Sequence, residues 1–160
     1  MACVPILFAI ARPQVPITIA DRLKSERRRF FVGRTAEKKL FASALAHADL
    51  PFFVLYIYGP GGVGKTTLLH ELALDAGELG AIATYLDLRN VEAAPGAFMA
   101  SLAVALGGSL QDNPIDLLHR RTQRSILLLD TCETLAPLEG WLRESFLPEL
   151  PATTLTVMAN

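Results

Sequence analysis

A glycine-rich run with one lysine and two threonines lies about a third of the way along the chain. Gly59 is followed after four residues by Gly64, Lys65 and Thr66, and Thr67 comes next. Glycines leave room for several backbone N–H groups to point at one anion. A lysine can neutralise phosphate charge, and a threonine hydroxyl can bind a hard cation. The spacing matches the full pattern G-x-x-x-x-G-K-S/T, which predicts a loop that binds the phosphates of a nucleotide.

The residue types of this loop predict a role for each of its polar side chains. Lys65 is expected to contact the β and γ phosphates, Thr66 to bind Mg²⁺ through its hydroxyl, and Thr67 to contact the α phosphate. The helix that begins near Lys65 directs the positive end of its dipole towards the same anion. The loop residues predicted to bind the nucleotide are Gly59, Pro60, Gly61, Gly62, Val63, Gly64, Lys65, Thr66 and Thr67.

A second acidic site is predicted where a buried strand ends. Four apolar residues precede Asp130 in the run "SILLLD". An aspartate placed there can bind the Mg²⁺ of a phosphate loop, so Asp130 and Thr66 are the predicted metal ligands, and Asp130 and Lys65 are predicted catalytic residues. Hydrolysis also requires a group that orients the attacking water. The nearest further carboxylate is Glu133, which could orient that water or cap the next helix, and spacing alone does not distinguish the two roles.

Predicted strands and helices alternate along the chain, which indicates the α/β class with a mainly parallel sheet. The aromatic-rich run from Pro51 to Tyr58 is typical of a strand that is buried on both faces. Thr35 and Asn113 are predicted helix caps, and Pro95 and Pro114 are predicted to lie in first turns. The other strands are predicted at 81–88, 125–130 and 154–159, and the helices at 36–48, 65–80, 95–106, 113–124 and 138–147.

Charge and composition exclude several classes of protein. Fifteen basic residues against sixteen acidic ones leave no basic excess, so direct nucleic-acid binding is not expected. The apolar runs are too short for a membrane span, and two distant cysteines suit a reducing, cytoplasmic setting. Residues 1–20 are apolar and have no positive charge before the apolar stretch, unlike a signal peptide. We expect this leader to be disordered or to reflect a misassigned start.

The motifs, taken in order, resemble a known class of ATPases. The segment "FFVGR" (Phe30–Arg34), the phosphate loop and "LLLDTCE" are similar to the STAND class of P-loop ATPases, relatives of AAA+ and origin-recognition ATPases. The likeness is greatest to the N-terminal ATPase module of large bacterial regulators, some with LuxR-type DNA-binding domains. It implies a three-layer α/β/α sandwich with a parallel sheet of order 1-4-3-2. It also implies that Val32 and Arg34 line the adenine pocket.

The resemblance further implies a fifth strand and a helical lid after strand four. We therefore expect residues 21–160 to be one P-loop ATPase domain that is incomplete at its C-terminus. The implied function is an ATP-dependent switch in signalling or transcription regulation, with ATP/ADP and Mg²⁺ as cofactors. The implied partners are further domains of a larger regulator and other copies of the chain. The alternatives are a nucleotide-binding module without turnover and a DNA-associated loader ATPase. We expect these residues to bind ATP with little turnover, and hydrolysis to require the longer chain.

Overall fold

Four parallel strands form the sheet in this computed structural model, which describes residues 33–160. The strands are β1 (Val54–Ile57), β2 (Ile82–Asp87), β3 (Ser125–Asp130) and β4 (Thr154–Ala159). Within the sheet they lie in the order β1-β4-β3-β2, as the resemblance implied. Val32, the leader 1–20 and the charged segment 21–30 lie outside the described residues.

Helices connect the strands and cover both faces of the sheet. The regular helices are α1 (Thr35–Ala46), α2 (Lys65–Glu78), α3 (Pro95–Ala105) and α4 (Pro114–His119). A helical segment, 132–149, follows β3 and consists of short turns of 3-10, α and π type. Helix α2 packs on β2, β3 and β4, and α1 packs on α2. No helix in residues 33–160 is both long enough and apolar enough to cross a membrane.

One hydrophobic core lies on the face of the sheet opposite α2. Leu127 and Leu129 of β3 point into it, where Phe98 of α3 contacts Trp141 and Phe146 of the 132–149 segment. Because side chains alternate along a strand, Ile126, Leu128 and Asp130 point to the α2 face. Both faces are therefore covered, which makes a three-layer α/β/α sandwich. With its strand order and the loop after β1, this is a P-loop NTPase-like fold, and the predicted fold class is confirmed.

Strand β1 differs from its prediction in both length and burial. It covers Val54–Ile57 rather than 51–58, and the residues Val54 and Tyr56 are 37% and 48% exposed. The strand pairs with β4 on one edge, and within residues 33–160 no strand pairs with its other edge. The prediction of a strand buried on both faces is therefore wrong here. An apolar, aromatic run is compatible with a central strand and with an edge strand, so the pattern did not separate them.

Several predicted caps and helix ends can be compared directly. Asn113 caps α4 by accepting a hydrogen bond from the backbone N–H of Ile115, and Pro95 is the first residue of α3, both as predicted. Thr35 is not a cap, because α1 begins at Thr35 and Arg34 occupies the cap position. The predicted helix 113–124 ends at His119. Residues 138–147 are helical as predicted, but they combine 3-10, α and π turns within the longer helical segment 132–149.

Candidate functional site

The phosphate loop joins the carboxyl end of β1 to the first turn of α2. Gly62 and Gly64 have φ angles of 79° and 88°, a conformation in which any other residue would be strained. A Cβ atom built on Gly61, Gly62 or Gly64 would meet no heavy atom within 4 Å. These three glycines therefore have open space where a Cβ would lie, and the first-turn N–H groups of α2 have no partner within the helix. An anion of phosphate size can approach this backbone directly.

Lys65 places its charge on the loop itself. Its Nζ donates hydrogen bonds to the carbonyl oxygens of Gly59 at 2.7 Å and Pro60 at 3.1 Å. Thr66 and Thr67 follow in the first turn of α2, and both are exposed. The ammonium and the amino end of the helix thus create positive potential at one place. This arrangement can hold an anion, and the ammonium can exchange loop carbonyls for phosphate oxygens without moving far.

Arg34 connects the start of α1 to the phosphate loop. Its backbone is left-handed, with a φ of 57°, and one guanidinium nitrogen donates to Glu37 Oε1 at 2.8 Å. The other, Nη2, donates to the carbonyl oxygen of Val63 at 3.3 Å. The hydrogen bond from Arg34 lowers the pKa of the Glu37 carboxyl. Arg34 therefore lies beside the loop, while its contact with adenine stays a prediction, as does that of Val32, which is outside the described residues.

The carboxylate of Asp130 is buried and carries a hydrogen bond on each oxygen. Asp130 is the last residue of β3 and is only 5% exposed. Oδ1 accepts the backbone N–H of Thr131 at 2.9 Å, and Oδ2 accepts the phenol O–H of Tyr85 at 2.7 Å. Burial, together with the bond to Asp130, raises the pKa of the Tyr85 phenol, which keeps it protonated at neutral pH. Asp130 is thus held in place by β2 as well as by its own strand.

A second carboxylate on the neighbouring strand was not identified in the sequence. Asp87 ends β2 and is level with Asp130 of β3. Two like charges at this spacing would repel, but Arg89 Nε donates to both oxygens of Asp87 at 3.0 and 2.9 Å. The hydrogen bonds from Arg89 lower the pKa of Asp87. The signal was present in the sequence, since β2 also ends in an aspartate, as β3 does.

Glu133 lies in the first turn after Asp130, on the rim of a cavity of about 470 Å³. Tyr56 of β1 and Asn160 after β4 line the same cavity. Thr131 occupies the cap position of the turn that contains Glu133, and no side chain provides a capping hydrogen bond there. Glu133 therefore does not cap this turn, and its role in orienting water remains a prediction. Asn160 is a further polar group at this end of the sheet.

The predicted site residues fall into three separate groups. The loop residues Gly59–Thr67 form one group with Arg34, Asp130 belongs with Tyr85, and Glu133 lines the cavity. Within residues 33–160, no hydrogen bond or ion pair joins Lys65, Asp130 and Glu133 to one another. Cys132, beside Asp130, is a buried apolar contact, and burial raises the pKa of its thiol to about 12. It therefore stays protonated and is not a candidate nucleophile.

Comparison with known proteins finds a likeness to solved structures. No protein-family model matches the chain, and no curated protein matches it in sequence. Among solved structures, PCH-2 of C. elegans is similar over 79% of this chain, with a TM-score of 0.49 and 14% sequence identity. The chain spans 36% of the length of that protein.

Proposed function

We propose that residues 33–160 are the ATP-binding module of a STAND- or AAA+-like signalling or transcription-regulating switch. The observation that carries the proposal is the loop between β1 and α2, in which the Lys65 ammonium bonds to loop carbonyls and Gly64 is the cap residue of α2. The polyphosphate of ATP has the charge and the oxygen spacing that such a loop recognises. Arg34 lies beside the loop, and we expect it to contact the nucleoside part of the bound nucleotide.

Mg²⁺ is the cation that fits the donor atoms of the two predicted metal ligands. Thr66 provides a hydroxyl and Asp130 a carboxylate, and oxygen is the donor that Mg²⁺ prefers. Each oxygen of Asp130 accepts one hydrogen bond, and a carboxylate oxygen has two acceptor sites. One site on each oxygen therefore remains for the cation or for its water. When bound, Mg²⁺ neutralises phosphate charge, while Lys65 binds and orients the phosphate chain.

Glu133 is the proposed water-orienting residue, and its position leaves two functions to separate. The favoured one is a switch that hydrolyses ATP slowly, with further domains and other copies of the chain as partners. The other is nucleotide binding without turnover. Glu139 lines the same cavity as Glu133, so Glu139→Gln is a matched control. In a hydrolysing protein, Glu133→Gln is expected to lower phosphate release by roughly 10²–10⁴-fold with an unchanged Kd, and Glu139→Gln to leave both unchanged.

The direct test is calorimetric titration of the protein with Mg-ATP. Lys65→Ala removes charged hydrogen bonds to the phosphates, each of which contributes about 1.5–3 kcal/mol. With two such bonds lost, the affinity is expected to fall by roughly 10²–10⁴-fold. Lys39→Ala, at an exposed position of α1, is the control and is expected to bind as the unmodified protein does. Equal affinity for the two variants would overturn the proposal.

A further inference from the structure

Tyr85 links three elements around the carboxylate of Asp130. It lies on β2, level with Leu128 of β3, and its phenol reaches two residues further along β3 to Asp130. Its ring lies 4.6 Å from that of His70, at an interplanar angle of 30°. His70 belongs to α2, the helix that begins at the phosphate loop. The phenol is thus fixed on one side by α2 and bonded on the other to Asp130.

The bond from Tyr85 determines how freely the Asp130 carboxylate can rotate. The terminal torsion of an aspartate has a broad, shallow preference, so its neighbours decide its orientation. Here Tyr85 holds Oδ2, and the N–H of Thr131, whose φ is 62°, holds Oδ1. Without the phenol O–H, one oxygen of a carboxylate that is 5% exposed would lose its donor. The carboxylate could then turn to find another partner.

We propose that Tyr85 is the positioning residue of the metal site, holding Asp130 in one orientation so that Mg-nucleotide binds more tightly than metal-free nucleotide. The inference rests on the proposed function, because it requires Asp130 to bind the cation of a nucleotide. Hydrogen bonds to a metal-binding side chain fix its direction, and their loss typically costs 10–100-fold in metal affinity. In this role Tyr85 acts through its hydrogen bond to Asp130. His70 acts on Asp130 only indirectly, because it packs against the Tyr85 ring and holds that ring in place.

The test measures nucleotide affinity with and without metal, so it does not depend on turnover. The Kd for a fluorescent ADP analogue is measured in Mg²⁺ and in EDTA for the full chain and for Tyr85→Phe, which keeps the ring packed on His70. The ratio of the EDTA value to the Mg²⁺ value is expected to fall by about 10–100-fold in Tyr85→Phe, with the EDTA value unchanged. Lys39→Ala, at an exposed position of α1, is the control and is expected to keep the ratio.

A double-mutant cycle distinguishes positioning from a general loss of structure. In the Asp130→Asn background, adding Tyr85→Phe is expected to change the ratio no further, since the group that it positions is gone. An unchanged ratio in Tyr85→Phe alone would overturn the inference, as would equal losses in Mg²⁺ and EDTA. Absence of nucleotide binding by the unmodified protein would overturn the proposed function together with the inference. If the unmodified protein binds nucleotide equally well in EDTA and in Mg²⁺, the metal site and this inference would be overturned, while the proposed nucleotide binding would stand.

Discussion

Replacing Arg124 with alanine is expected to destabilise the fold without affecting the phosphate loop. Arg124 precedes β3, and its guanidinium donates to three carbonyl oxygens at the end of α1. The bonds are to Leu45 at 2.8 Å, His47 at 3.0 Å and Ala48 at 2.8 Å. The last carbonyls of a helix have no partner within it and carry the negative end of its dipole. One side chain thus satisfies these groups and fastens α1 to the sheet.

The expected loss of stability follows from the number and exposure of these bonds. A hydrogen bond contributes about 0.5–1.5 kcal/mol net, and more when the donor is charged. Two of the three bonds are exposed, which reduces their value. We therefore expect Arg124→Ala to lower the free energy of unfolding by about 2–3 kcal/mol. For a chain of 160 residues, the Tm is expected to fall by roughly 6–9 °C.

Thermal and urea unfolding measure this loss, and exposed Arg120 supplies the matched control. Arg120→Ala is expected to change the free energy of unfolding by less than about 0.5 kcal/mol. Arg34 lies at the opposite end of α1, which is about 18 Å long at 1.5 Å per residue. Nucleotide affinity in Arg124→Ala at low temperature should therefore be unchanged. Equal stabilities for the Arg124 and Arg120 variants would refute the reasoning.

Three further predictions concern the site. Asp130→Asn is expected to weaken nucleotide binding about 10–100-fold in Mg²⁺ but little in EDTA. Equal losses of affinity in the two conditions, measured by calorimetry, would show that Asp130 does not bind the metal. Arg34→Ala is expected to weaken ATP roughly tenfold, the loss of one charged hydrogen bond, and to leave inorganic triphosphate nearly unaffected. An equal loss of affinity for triphosphate would show that Arg34 acts on the phosphate loop through Val63 and not on the base. In Cys3→Ser protein, iodoacetamide at pH 8 is expected to label folded Cys132 at least ~10³-fold more slowly than the unfolded chain, since its pKa is about 12. Comparable labelling rates for the folded and unfolded chain would contradict the burial of this thiol. Because the thiol ionises at lower pH in the unfolded chain than in the folded one, the free energy of unfolding is expected to decrease between about pH 9 and 12.

Most features that depend on neighbours in the sequence were predicted correctly, although the Thr35 cap was not. The phosphate loop is contiguous, and its glycines, Lys65 and Thr66 lie where the spacing places them. Strands β3 and β4 appear at their predicted bounds, and Asn113 caps its helix. A turn, a cap and a short strand are decided by backbone geometry and the side chains within a few residues. Such features can be recognised before the fold is known.

Tertiary structure decided which distant residues meet. Tyr85 and Asp130 are 45 residues apart, and Arg34 and Val63 are 29 apart. The phenol reaches the carboxylate because β2 and β3 pair in one register, which composition does not specify. Strand order also decides the exposure of β1, because the order of strands in the sheet places this apolar segment at an edge. Local spacing determined the loop that can bind phosphate, and strand order and register determined which groups surround it.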